Sequence, residues 1–131
     1  MNLSVKSEGL QLKGLRGATT SQSNEIEAIE LSVTELVEEL VQRNRLKPDQ
    51  IVSITFSVTS DLNACFPASI ARRQPGWENL ALLDCQQMYV AGDLRYCIRI
   101  MAHVFLPINQ KPQHTYLGEA SMLRPDRSPS N

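Results

Sequence analysis

A chain of 131 residues, 42% hydrophobic and 21% charged, is long enough for one globular domain with a real core and too apolar to be disordered. Thirteen Lys and Arg against fourteen Asp and Glu give a formal net charge of -1, so the totals offer no electrostatic case for nucleic acid, and only a small anion held by locally converging basic residues stays open. Three cysteines without CxxC spacing and two histidines argue for reduced thiols and against structural zinc, while no apolar run approaches a membrane span and Met1 to Gln11 has no secretory apolar core, so a soluble cytoplasmic protein is expected.

In chain order, a polar start is followed by Leu10, Leu12 and Leu15, a short strand expected to run into a loop at Arg16 to Thr20, with Arg16 at the strand end. The period then becomes helical. Ile26, Ile29, Val33, Leu36, Val37, Leu40 and Val41 fall on one stripe, Asn24 and Glu27 have the form of a capping box, and Pro48 stops the helix. Ile51 to Thr59 alternates cleanly, with Val52, Ile54, Phe56 and Val58 on the core side. Pro67 suits the first turn of a short helix reaching Arg73, and Phe66 before it is either a core anchor, the reading that residue type favours, or an exposed wall of a pocket.

Leu80 to Leu83 is a further strand. The segment Leu82 to Arg99 reads as two strands joined through Ala91-Gly92-Asp93, with polar residues facing a shared cleft, because a cation such as Arg99 within an apolar strand needs an anion or water. Ile98, Ile100, Ala102, Val104 and Leu106 form one face of a long strand and Arg99, Met101, His103 and Phe105 the other. His103 reads as a satisfied histidine, not a metal ligand. A last strand is expected around Thr115 to Leu123, and the ends, 1–9 and 127–131, are expected to be loosely ordered. The order β, α, β, short α, β, β, β predicts a single α+β domain with helices on one face of a mixed sheet. The bare face then needs cover, which a small chain can find in another subunit.

Several words of the sequence go further together than alone. RGATT at Arg16 to Thr20, SVTSDLNACFPASIAR at Ser57 to Arg72, Gly76-Trp77, QQM at Gln86 to Met88, CIRI at Cys97 to Ile100, TYL at Thr115 to Leu117 and LRPD at Leu123 to Asp126 occur in register. From about Leu12 to Asp126 the chain closely resembles the monofunctional chorismate mutases of the AroH class. The resemblance implies a trimeric pseudo-α/β-barrel with three active sites between neighbouring subunits. It further implies the Claisen rearrangement of chorismate to prephenate, on the way to phenylalanine and tyrosine, with neither metal nor organic cofactor.

By the same resemblance Arg16, Arg99 and Tyr116 line one subunit's side of the cleft, and the run Leu83, Asp84, Cys85, Gln86 and Gln87 is also expected to bind substrate. Phe66, Ala68, Arg72, Leu123 and Arg124 match the positions by which the neighbour closes it. A pericyclic reaction needs no nucleophile or general base. An enzyme can offer restraint of the chair-like substrate and charge placed where bond breaking separates it. Arg99 is the residue expected at the ether oxygen, Arg16 and Tyr116 at a carboxylate, and Arg72 at the mouth.

This chain departs from the family pattern at Gln87, where a glutamate is usual, and it carries Asp84 where cysteine is common. If residues 84 to 87 form one tight turn, Asp84 can bring the carboxylate to the same pocket, leaving Gln87 a hydrogen-bonding role. Two other readings stay open: a noncatalytic trimer that binds an anionic metabolite of the aromatic pathway, and an imine hydrolase of the RidA type, which shares the architecture but not the motifs.

Overall fold

The computed structural model describes residues 9–123. Strand β1 (Leu10–Thr20) leads into helix α1 (Ile26–Asn44), a 3-10 turn (Pro48–Gln50), strand β2 (Ile51–Val58) and the short helix α2 (Pro67–Ala71). Strands β3 (Ala81–Gln86), β4 (Cys97–Pro107) and β5 (Thr115–Tyr116) follow, and a second 3-10 turn spans Gly118–Met122. All five strands join one mixed sheet in the order β3-β2-β4-β1-β5. Strand β4 is antiparallel to β1 and β2, while β3 and β5 run parallel to their neighbours. This is the α+β architecture that the element order implies.

The stripe of α1 does what its spacing asks except at its first position, where Ile26 is exposed. Ile29, Val33, Leu36, Val37 and Leu40 are buried in one core with Leu15, Ile54, Phe56, Ile98, Ile100, Ala102, Val104 and Leu106 of the sheet, each large side chain contributing about 1.5–3 kcal/mol. Ala68, Ile70 and Ala71 bring α2 into the same core. Helix α1 ends in a Schellman arrangement: Arg45 takes φ 50, its N–H donates to the Gln42 carbonyl, and the Leu46 N–H donates to that of Val41. Opposite this covered face the sheet is open, with Leu12 53% exposed and Arg16, Met101 and His103 also presented outward.

Several local expectations are corrected. The RGATT run is strand throughout, paired from Arg16↔Met101 to Thr20↔Cys97, so Arg16 lies within β1 and not at its end. The alternation of β2 breaks at a register shift between Ile51 and Ser53; the bulge turns Val52 to solvent and buries Ile51 instead. Asn24 does not cap α1. Its Oδ1 accepts from the Asn63 and Ala64 N–H groups and its Nδ2 donates to the Asn63 side chain, which ties the loop before α2 to the helix start.

The tight turn expected at 84 to 87 is absent, because β3 stays paired with β2 through Val58↔Gln86 and the reversal comes only after Gln87. Helix α2 stops at Ala71, with Arg72 as its cap, instead of reaching Arg73. The last strand shrinks to two residues before the Gly118–Met122 turn. Phe66 is not a core anchor: it is 70% exposed. The ends expected to be loose fall outside the described residues, Gly9 excepted.

Candidate active site

Three strands deliver three of the expected residues to one place. Arg16 of β1, Arg99 of β4 and Tyr116 of β5 line a depression of about 240 Å³ on the open face, floored by Gly17, Thr55, Ser57, Ile100 and Met101. The register explains the meeting. Ala18 pairs with Arg99 on one side and Tyr116 on the other, and its methyl group is too small to keep them apart. Gly17 lets β5 approach: a Cβ there would come within 2.6 Å of the Thr115 carbonyl oxygen. Tyr116 is only 5% exposed, packed with Ala18, Ala120, Leu94 and Leu123.

A two-residue strand cannot hold itself, and a buried amide holds this one. Asn44, at the end of α1, donates from Nδ2 to the carbonyls of Leu40 and Gln113, both at 2.9 Å, and accepts at Oδ1 from the Gln113 N–H at 2.8 Å. The Asn44 carbonyl in turn accepts from the Gln110 side chain at 2.9 Å, and the Arg16 N–H donates to His114 Nδ1 at 2.9 Å. The connection into β5 is thus fixed from both sides.

Arg99 answers the question its sequence position raises. Its side chain is 37% exposed, its Nε donates to Gln87 Oε1 at 2.8 Å, and the Gln87 Nε2 donates to Asp93 Oδ2 at 2.8 Å. Asp93 Oδ2 also stands 3.9 Å from an Arg99 terminal nitrogen. Asp93 is the functional candidate that sequence reading missed. Within Ala91-Gly92-Asp93 it reads as an ordinary turn former, and no local pattern marks a carboxylate that reaches back six positions.

Asp84 lies elsewhere. By its pairing with Phe56 it faces the helix side of the sheet, where its Oδ1 accepts from the Ala68 N–H at 2.9 Å. Burial pushes its carboxyl above the usual range, opposed by that hydrogen bond and by the Arg72 guanidinium. It opens into a second cavity of about 590 Å³, whose walls include Phe66, Pro67, Ser69, Cys85 and Gln86. The two cavities have no lining residue in common. Within one chain, therefore, Asp84 does not reach Arg99, and side chains three apart on an extended strand point to opposite faces.

Leu83 and Cys85 align with Thr55 and Ser57 and are exposed. Leu123 packs beside Tyr116, and Arg124 lies outside the described residues. The three thiols are free, that of Cys97 buried. Among the described residues no helix is long and apolar enough to cross a membrane.

Comparison with known proteins identifies the family. The family model for chorismate mutase type I matches residues 12–127. The chain is 37% identical over 120 residues to chorismate mutase AroH of Bacillus subtilis, covering 91% of this chain and 94% of that protein. With chorismate mutase AroH of Thermus thermophilus it is 35% identical over 117 residues, covering 88% and 95%. A solved chorismate mutase from Clostridium thermocellum superposes with a TM-score of 0.78 at 40% identity, covering 84% of this chain and 98% of that one. The match spans nearly the whole domain and includes every segment that forms the Arg99 depression, so the chain belongs to the type I chorismate mutases.

Proposed function

We propose that the Arg16, Arg99 and Tyr116 depression is the substrate-binding half of an active site that a second copy of the chain completes. The protein is a chorismate mutase, an isomerase that converts chorismate to prephenate in aromatic amino-acid biosynthesis. In this reaction the ether C–O bond breaks ahead of C–C bond formation, so negative charge grows on the ether oxygen and positive charge on the ring. Arg99 meets the first. Its Nε is committed to an uncharged amide, which orients the guanidinium without cancelling its charge, and with Asp93 Oδ2 at 3.9 Å from one terminal nitrogen, beyond hydrogen-bonding distance, the terminal N–H groups can still donate to the ether oxygen and a carboxylate together. Arg16 and Tyr116 hold the side-chain carboxylate and with it the diaxial conformation of the substrate. A million-fold enhancement needs only about 8 kcal/mol, within reach of fixed charge and restraint acting together.

The neighbour supplies Phe66, Ala68 and Arg72 in a homotrimer, whereas Leu123, packed beside Tyr116 of its own chain, belongs to the Arg99 side and not to the neighbour's. The separation of the two cavities supports this, since Phe66 and Asp84 line one and Arg16, Arg99 and Tyr116 the other with no residue shared. An exposed phenylalanine and an open, partly apolar sheet face also fit burial between copies. Asp84 belongs to the Phe66 half and so approaches substrate across the interface, while Leu83, Cys85 and Gln86 line the seam and Gln87 steadies Arg99.

The single observation that carries the reading is the convergence of Arg16, Arg99 and Tyr116 from three strands. Subunit complementation tests it. Arg99→Ala and Arg72→Ala should each lose most chorismate turnover, and a co-refolded mixture should recover part of it, because some mixed sites carry both arginines. A mixture no more active than its parents would overturn the shared site. Saturable chorismate binding without turnover by the wild type would favour the noncatalytic binder.

A further inference from the structure

We infer that Asp93 is a positioning residue for this reaction, acting through Gln87 to set the polarity and aim of Arg99. The inference rests on the reading of Arg99 given above and adds a residue to it.

Donor and acceptor capacity decides how these three side chains meet. A guanidinium can only donate and a carboxylate can only accept, whereas a side-chain amide does one at each end and is free to turn over. Gln87 sits between the two charged groups, 2.8 Å from each. Asp93 must receive, so the Gln87 NH2 group faces it, and Oε1 is thereby turned to Arg99 Nε. Both Asp93 oxygens are used, since Oδ1 accepts from the Leu94 N–H at 2.8 Å.

The turn that carries Asp93 is itself anchored. The Asp93 N–H donates to the Val90 carbonyl, Gly92 has φ 84, and the Tyr96 N–H donates to both oxygens of Asp61. The carboxylate is therefore presented by a fixed loop, and its negative charge stands 3.9 Å from the Arg99 guanidinium. A chain with glutamine at position 87 thus has an anion beside Arg99 after all, one residue further removed.

Charge exchange tests this against a merely structural role. In Asp93→Asn one oxygen remains, taken by the Leu94 N–H, so an NH2 group faces Gln87 and the amide turns its own NH2 toward Arg99. The expected fall in kcat/KM is on the order of ten- to a hundred-fold, carried by kcat, with the unfolding midpoint little changed. Gln87→Glu alone should also fall, because it sets two carboxylates side by side. The double variant Gln87→Glu with Asp93→Asn restores a matched set, the glutamate accepting from both Arg99 Nε and the new amide, and should return to within a few-fold of wild type.

A double variant no better than Asp93→Asn, or an Asp93→Asn enzyme at full rate while Arg99→Ala is inactive, would overturn the role of Asp93 alone. Full activity of Arg99→Ala would instead remove the site reading on which it stands.

Discussion

Replacing Asn44 by leucine tests how the site is held, at a residue that never touches substrate. The amide is fully buried and makes three hydrogen bonds, two of them to the backbone of Gln113, two residues before β5. A net hydrogen bond contributes about 1 kcal/mol, and more when a partner is orphaned in the interior. The Gln113 backbone lies near solvent and can rehydrate, and the leucine regains some apolar burial, so the expected loss is about 2–3 kcal/mol. For a domain of this size that lowers Tm by roughly 6–12 °C. The same change frees the connection into Thr115–Tyr116, so KM for chorismate should rise, and the rise should persist well below the new Tm. Thermal unfolding followed by circular dichroism and steady-state kinetics at low temperature give the two numbers. A Tm shift under about 2 °C, or unchanged KM despite a large shift, would refute the claim that this amide fixes the Tyr116 strand.

Further expectations follow from other contacts. Gly17→Ala sets a methyl group against the Thr115 carbonyl, with Ile100 and Leu36 close behind, and should cost about 1–3 kcal/mol in chemical denaturation while lowering turnover through Tyr116. Asp84 is raised by burial, so the folded protein takes up its proton more readily than the unfolded chain; its contribution to stability is greatest at acid pH and is lost as pH climbs from the ordinary carboxyl range through the raised value. Asp84→Asn should therefore match or exceed the wild-type Tm at neutral pH, with the difference vanishing in acid, and a variant less stable at every pH would contradict this. Leu12→Asp, on the open sheet face, should lower the mass measured by light scattering and reduce activity in parallel, whereas a fully active assembly of unchanged mass would count against burial of that face.

How far the sequence could be read depends on the range of the forces involved. The α1 stripe and the two faces of β4 were legible because period alone decides which side meets the core. The RGATT strand was not, since Gly17 and Ala18 disfavour a strand, the run has no apolar alternation, and its conformation is owed to β4 on one side and β5 on the other. The bulge at Val52 and the partners of Asn24 depend on contacts tens of residues away, and neither leaves a local mark. Arg16, Arg99 and Tyr116 were found from motifs, and the register then accounts for their meeting. Asp84 and Gln87 are neighbours only if residues 84 to 87 form a turn; continued pairing of β3 sends them to opposite faces.

The proposed catalysis depends on the fixed guanidinium of Arg99, and the sharpest measurement is the rate of chorismate turnover by Arg99→Lys beside Arg99→Ala. Lysine keeps a positive charge but loses the planar fork and the Nε hydrogen bond to Gln87. Both variants should remain folded and lose about a hundred- to a thousand-fold or more in kcat, with KM changing far less. An Arg99→Ala enzyme within a few-fold of the wild-type kcat would contradict it.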